Sequence, residues 1–246
     1  MKKLVAYITA GFPSNNFTID LAMSLKESGV DSLELGIPFS DPVADGPIIE
    51  EANLKALQNG FKMDHVFDIS KQISKEIDTL WMGYFNPFYH KGVDFFIDRA
   101  NEYGVSGFII PDLPHEEALI YAKPIEDKNI SLISFVAPTD STERIKKVVQ
   151  NSQKFIYLVA YAGITGSGAS EDLKDTITSI KTFTKTPIYV GFGVDEKTAK
   201  NKVDGVDGVI VGSAFVKVLL DDSLSSTEKI KIISQKAKNI KEIINS

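Results

Sequence analysis

Residues 33–47 read Leu-Glu-Leu-Gly-Ile-Pro-Phe-Ser-Asp-Pro-Val-Ala-Asp-Gly-Pro, and three carboxylates in that stretch could do chemistry. Glu34 lies inside a short apolar run that reads as a buried strand. An ionised carboxylate there is costly unless it has a partner, or unless its pKa rises enough for it to keep a proton. No Arg or Lys beside the run is an obvious partner, so a proton carrier is a stronger reading than a structural ion pair. Asp41 and Asp45 follow in a loop stiffened by Pro and Gly. Asp-Pro and Asp-Gly are also ordinary turn chemistry, and a lone Asp there would be read that way. Two of them directly after a buried Glu suggest an acid/base pair, with Asp45 folded back over the strand end and Asp41 bracing the loop.

Two glycine-rich turns suggest a phosphate cradle. One is Gly191-Phe192-Gly193-Val194; the other, Gly212-Ser213-Ala214-Phe215, opens a short helix ending near Leu220. Backbone N–H groups and a helix N-terminus bind phosphate well, and glycine lets the anion approach them. A single Gly-x-Gly is weak evidence, since glycine also serves tight turns; the pair, after two consecutive strands, is stronger. Residues 162–169, Ala-Gly-Ile-Thr-Gly-Ser-Gly-Ala, read either as a plain solvent loop or as a lid whose Thr165 can hydrogen-bond a catalytic carboxylate. His65, His90 and His115 have no metal-ligand spacing, and no metal is expected. No Lys falls inside a strand candidate, which argues against a Schiff-base aldolase. Tyr7, Tyr84 and Phe192 at strand ends are core by default, yet near a barrel mouth they would make an apolar, aromatic-friendly pocket.

The elements that must position these residues alternate along the whole chain. Strand candidates are residues 4–9, 32–36, 80–84, 107–111, 131–136, 155–160, 188–191 and 208–212, nearly all continuously apolar. Helical spacing and caps fall at 16–28, 63–77, 93–103, 116–128, 141–151, 171–183 and 226–244. Eight such units predict an α/β fold, a single (β/α)8 TIM barrel over residues 1–246, with working groups at the C-terminal strand ends. Residues 27–35, 102–110 and 203–211 share one grammar of Gly stop, Val, small polar residue and buried strand, which supports a repeated architecture. An open doubly wound sheet would put a glycine fingerprint after the first strand, where Ala10-Gly11-Phe12-Pro13 does not match.

Composition narrows the class. The 246 residues are 43% apolar and 24% charged with a net charge of −6, and the basic residues are scattered, so no nucleic-acid surface is expected. There is no cysteine, hence no disulfide, thiolate metal site or Cys nucleophile. The opening apolar run is too short for a signal peptide, and no run approaches the roughly 20 residues of a membrane helix, so a soluble cytoplasmic protein is expected.

The segment 33–47, with a Glu in the strand and the Asp-Pro-x-Ala-Asp-Gly-Pro loop, resembles that of tryptophan synthase alpha chains. The likeness continues through residues 7–13, 84–86, 111–114, 157–166, 191–194 and 212–217. It implies a lyase that splits indole-3-glycerol phosphate into indole and glyceraldehyde 3-phosphate without Schiff base, metal or organic cofactor. The resemblance assigns Glu34 as proton carrier and Asp45 as the carboxylate facing the indole N–H. It places Thr165 on the lid and Tyr157 beside the catalytic pair, with Tyr7, Ile49, Tyr84 and Ile110 lining the indole slot. Gly166, Phe192, Gly193, Gly212 and Ser213 fall at its phosphate site, beside an extra helix after strand 8. It also implies a pyridoxal-phosphate-dependent beta chain as partner in an alpha2beta2 heterotetramer that activates the alpha chain, pyridoxal phosphate belonging to that partner alone. Two departures stand out: the family's helix before the first strand is missing, and Tyr161 replaces an Arg that some members carry in the lid. Other phosphate-binding barrels lack support, since an indoleglycerol-phosphate synthase would want a strand Lys and a ribulose-phosphate epimerase metal ligands. A non-catalytic activating subunit is a further alternative, disfavoured by the complete acid/base pair.

Overall fold

The computed structural model describes residues 1–159 and 173–246. Among these residues nine strand segments form one parallel sheet: β1 (Lys3–Thr9), β2 (Ser32–Gly36), β3 (Asp78–Met82), β4 (Gly107–Ile109), β5 (Ser131–Leu132), β6 (Ser134–Val136), β7 (Ile156–Val159), β8 (Ile188–Gly191) and β9 (Gly208–Val211). The intervening helices are α1 (Asn15–Glu27), α2 (Pro47–Gln58), α3 (Met63–Ile73), α4 (Phe85–Lys91), α5 (Val93–Tyr103), α6 (His115–Glu126), α7 (Thr142–Val149), α8 (Lys174–Phe183), α9 (Ala199–Lys202), α10 (Ser213–Leu219) and α11 (Ser226–Ile243). β1 pairs with both β2 and β9, which joins the two halves of the sheet. The two ends of the strand order, β5 and β6, are halves of one strand broken at Ile133, whose N–H still reaches the Phe108 carbonyl at 2.9 Å. The sheet therefore closes as an eight-stranded parallel α/β barrel.

Burial explains the continuous apolar strands. Every residue of β1 after Lys3 is buried, because one face looks into the barrel and the other lies under helices. On the outer face Trp81 sits 5.6 Å from Phe67 and 6.0 Å from Phe96 and Phe108, its indole N–H donating to Ser70 Oγ at 2.8 Å. Helix starts are written locally: Ser14 accepts from Phe17 N–H, and Ser225 with Glu228 forms a reciprocal capping box. At the three repeated αβ connections Gly29, Gly104 and Gly205 adopt positive φ, as the shared grammar requires.

Several boundaries differ from the expected ones. The helix expected over 63–77 stops at Ile73, and the strand expected over 80–84 runs instead from Asp78 to Met82. The helix α2 and the short helices α4 and α9 have no counterpart among the helices that the sequence spacing predicts. Lys3 does fall within a strand, but at its exposed first residue, paired with Asp31 away from the strand C-termini. Among the described residues no helix is long and apolar enough to cross a membrane.

A polar network closes the barrel's N-terminal end. The Asp78 carboxylate accepts from Ser106 Oγ and Ser32 Oγ at 2.6 Å each and from Lys154 Nζ at 2.9 Å. Lys154 precedes β7, so the pair spans the barrel rather than joining neighbouring strands. Burial pushes the Asp78 carboxyl up, but the two hydroxyls and the ammonium outweigh it and hold it below its ordinary value. Lys154→Met is expected to lower unfolding free energy by about 1 kcal/mol, read as a shift in urea midpoint without a change in slope. Because the folded carboxyl titrates below 3.8, this contribution is present above that pH and is lost as pH falls through the folded value.

Candidate active site

The C-terminal strand ends surround a cavity of about 470 Å³. Strand register decides what enters it. Tyr7, Glu34 and Leu80 lie side by side in β1, β2 and β3, and all three point inward. One step nearer the mouth come Thr9, Gly36, Met82 and Ile109. Leu33 and Leu35 flank Glu34 on the opposite face, as alternation demands.

Glu34 is 2% exposed, and its Oε1 has no hydrogen-bond partner among the described residues. Burial pushes its carboxyl up to about 8, with the negative charge of Asp45 adding to the rise. At neutral pH it therefore holds a proton. Asp45 ends the loop between β2 and α2, its N–H bonded to the Pro42 carbonyl at 3.0 Å. Burial raises its carboxyl to about 6, against the opposing hydrogen bonds of Tyr84 and Asn53. The two acids thus separate in the useful order, Asp45 ionising first and its charge then holding the proton on Glu34. Asp41 is exposed and takes a hydrogen bond from Ser40 Oγ, consistent with bracing the loop.

Aromatic rings wall the cavity. Tyr157 stacks on Phe135 with centroids 5.0 Å apart and meets the edge of Phe192 at 6.1 Å. Burial keeps the phenols of Tyr7 and Tyr157 protonated far above neutrality, reinforced by Asp45 at Tyr7 and by Glu34 at Tyr157. Both rings depend on a glycine in an adjacent strand. A Cβ on Gly36 would lie 2.3 Å from the Tyr7 hydroxyl, and one on Gly191 2.4 Å from the Tyr157 ring and hydroxyl. Any side chain there would drive the ring from its place.

The far end of the cavity is formed by Phe192 and Gly193 on one side, and by Gly212 and Ser213 on the other. Phe192 and Gly193 both have positive φ, an uncommon conformation for phenylalanine, which marks a sharply turned segment at the mouth. Gly212 precedes α10, and Ser213 is its first residue.

Most sequence-selected residues converge here: Tyr7, Glu34, Asp45, Ile49, Tyr157, Phe192, Gly193, Gly212 and Ser213 all line the cavity. Two expected lining residues do not. Ile110 is buried behind the wall, and its neighbour Ile109 takes the inward position, because Ile109 is the residue in register with Met82. Tyr84 lies beyond the end of β3, stacks on Phe39 at 5.3 Å, and accepts from Ala44 N–H at 3.1 Å. Thr165, Gly166 and Tyr161 lie outside the described residues. Asn53, Gly36, Met82 and Phe135 were not anticipated. Met82 and Phe135 turn inward by register with Gly36 and Tyr157, which arises only once the strands pair.

The family model for the tryptophan synthase alpha chain matches residues 1–245. A tryptophan synthase alpha chain of Wolinella succinogenes is 57% identical over 247 residues, covering 100% of this chain and 97% of the relative. A solved chain of Mycobacterium tuberculosis tryptophan synthase superposes with a TM-score of 0.89 at 30% identity, covering 100% of this chain and 93% of the other. A chain from the tryptophan synthase α2β2 complex of the hyperthermophile Pyrococcus furiosus gives a TM-score of 0.85 at 32% identity, with coverage of 98% and 100%.

Proposed function

The chain belongs to the tryptophan synthase alpha chain family, and on that premise we propose that Glu34 and Asp45 carry out its reaction. The reaction is the cleavage of indole-3-glycerol phosphate to indole and glyceraldehyde 3-phosphate. Carbon–carbon cleavage needs a proton on the ring carbon that will leave and removal of a proton from the glycerol hydroxyl beside it. Protonated Glu34 delivers the first proton to the indole carbon bearing the side chain. Ionised Asp45 accepts a hydrogen bond from the ring N–H and stabilises the cation so formed. The carbon–carbon bond then breaks, its electron pair returning to the ring. The hydroxyl becomes the aldehyde, and its proton restores Glu34. The observation that carries this reading is a buried, proton-holding glutamate set against an ionised aspartate in one aromatic-walled cavity.

Tyr7, Ile49, Ile109 and Tyr157 would line the indole end. Phe192, Gly193, Gly212 and Ser213, with the extra helix α10, would hold the phosphate. Thr165 and Gly166 are assigned to the lid and the phosphate end on the family resemblance alone. The hydrophobic core runs from Leu4 to Ile244, which supports one barrel domain over residues 1–246. We assign closure of the barrel's N-terminal end to the Asp78–Lys154 network.

The protein works with a beta chain in an α2β2 assembly, and pyridoxal phosphate resides in that beta chain. We assign the contact to residues 41–47 and 86–88 at the barrel mouth. Val43 is 81% exposed and the adjoining Tyr89 67%, which supports an apolar partner surface there.

Indole-propanol phosphate, an uncleavable mimic, tests the site directly. It is expected to bind saturably, and Gly212→Val to weaken it at least tenfold, about 1.4 kcal/mol. A Cβ at this position already sits 3.3 Å from Ile49, so two further methyls must enter the cavity or displace its wall. Equal binding by the two proteins would remove the phosphate assignment.

A further inference from the structure

We propose that Asn53 and Tyr84 are positioning residues for Asp45, fixing its carboxylate at the cavity from the side away from substrate. The proposal rests on the reading that Asp45 is the carboxylate facing the indole N–H.

Asp45 needs such support because it is the thirteenth residue of a loop-and-strand segment rather than a strand residue itself. Its backbone is held by one bond to Pro42, and Gly46 follows it. Two side chains reach it from different elements. Asn53, on α2, donates from Nδ2 to Asp45 Oδ2 at 3.2 Å. Tyr84, at the start of α4, accepts from the N–H of Ala44, the residue before Asp45. With its oxygen taken by that N–H, the phenolic proton is free to turn toward the Asp45 carboxylate, whose charge it favours. The Tyr84 ring is itself immobilised by stacking on Phe39.

Asn53 carries a second sign of purpose. It is 2% exposed, yet its Oδ1 has no partner among the described residues. An unpaired buried carbonyl destabilises the fold, and an apolar residue at this helix position would avoid it. Such a group persists where its other half is needed. Here the other half is the amide donor on Asp45. An amide that donates to a carboxylate favours the ionised form, which is the form the reaction uses. Other groups facing Asp45 oppose or are indifferent to that charge: Glu34 from β2, Glu50 from α2, and the phenols of Tyr7 on β1 and Tyr157 on β7.

The test uses the reconstituted complex with its beta chain and follows indole-3-glycerol phosphate cleavage from pH 5 to 9. Asn53→Leu and Tyr84→Phe are each expected to lower kcat roughly tenfold or more with little change in KM, as misplacement of a catalytic group does. Each should also move the acid limb of the profile to higher pH, because Asp45 loses a donor that favours its charge. Asn53→Leu should melt no lower than the parent. A purely structural role predicts a lowered melting temperature and an unmoved acid limb, and that result overturns the proposal. If Asn53→Leu fails to fold, Tyr84→Phe, which removes one oxygen, decides the matter. Glu34→Gln in the same assay separates the two levels of argument. If it is inactive while both positioning variants keep wild-type kcat and acid limb, the positioning proposal alone fails. If it cleaves at the wild-type rate, the active-site reading fails with it.

Discussion

Glu34→Gln is expected to lower indole release by on the order of 10²–10⁴-fold, the range that a general acid/base group contributes. The amide has nearly the same shape but cannot hand over or take back a proton, so the loss should appear in kcat with substrate binding retained. The same change should make the protein less sensitive to alkali. The folded carboxyl titrates near 8, above its ordinary value of 4.5, because it is buried and faces Asp45. Between those values the unfolded chain sheds the proton while the native protein keeps it. Stability is therefore fullest below pH 4.5 and falls as pH rises toward 8. Linkage allows about 1.4 kcal/mol per pKa unit, so a few kcal/mol are at stake. Urea titrations of both proteins at pH 5 and pH 8 measure this. The wild type should lose stability relative to the Gln variant between the two pH values. Parallel curves would show that Glu34 is solvated and would remove the basis for its protonation at neutral pH.

How far this site can be seen from sequence depends on whether a residue type carries its own orientation. Glu34 does, because a carboxylate between two leucines in a five-residue strand has only one face left to it. The helix stops at Gly29, Gly104 and Gly205 are equally local, since positive φ is a property of the residue itself. Ile109 is not legible in that way. In Phe108-Ile109-Ile110 every position is apolar, so the run shows a strand without showing its phase and cannot correct the family resemblance, which points to Ile110 where Ile109 faces inward. Tyr84 misled for a related reason: β3 ends two residues earlier than its apolar run suggests, so the tyrosine turns to the back of the loop.

Gly36 reads as an ordinary turn residue. Its real constraint is the Tyr7 ring, which arrives only when β1 pairs with β2. Asn53 is hidden because it lies on α2, which has no counterpart among the helices that the sequence spacing predicts. Pro47 after two other prolines suggested punctuation, although proline at the first position of a helix is favourable and Ala52 and Ala56 keep helical spacing behind it. What the sequence conveys poorly is thus the set of contacts made between elements. In this site those contacts orient the second acid.

Asp45→Asn should cost about 10²–10³-fold in kcat/KM, because a neutral amide can still accept from the ring N–H but no longer opposes a developing positive charge. Its pH profile is the more searching measurement. The wild type should give a bell whose limbs belong to the coupled pair, near 6 for ionisation of Asp45 and near 8 for loss of the Glu34 proton. Beyond either limb kcat/KM falls about tenfold per pH unit. The substrate phosphate also ionises near 6 and contributes to the acid side. That contribution survives in the Asn variant, so the difference between the profiles isolates Asp45. The alkaline limb provides a second, independent sign. Because the Asp45 charge helps hold the proton on Glu34, neutralising it must move that limb to lower pH. A variant that is slow but keeps both limbs in place would mean that the two carboxylates do not sense each other, and the paired mechanism would have to be abandoned even though each residue mattered alone.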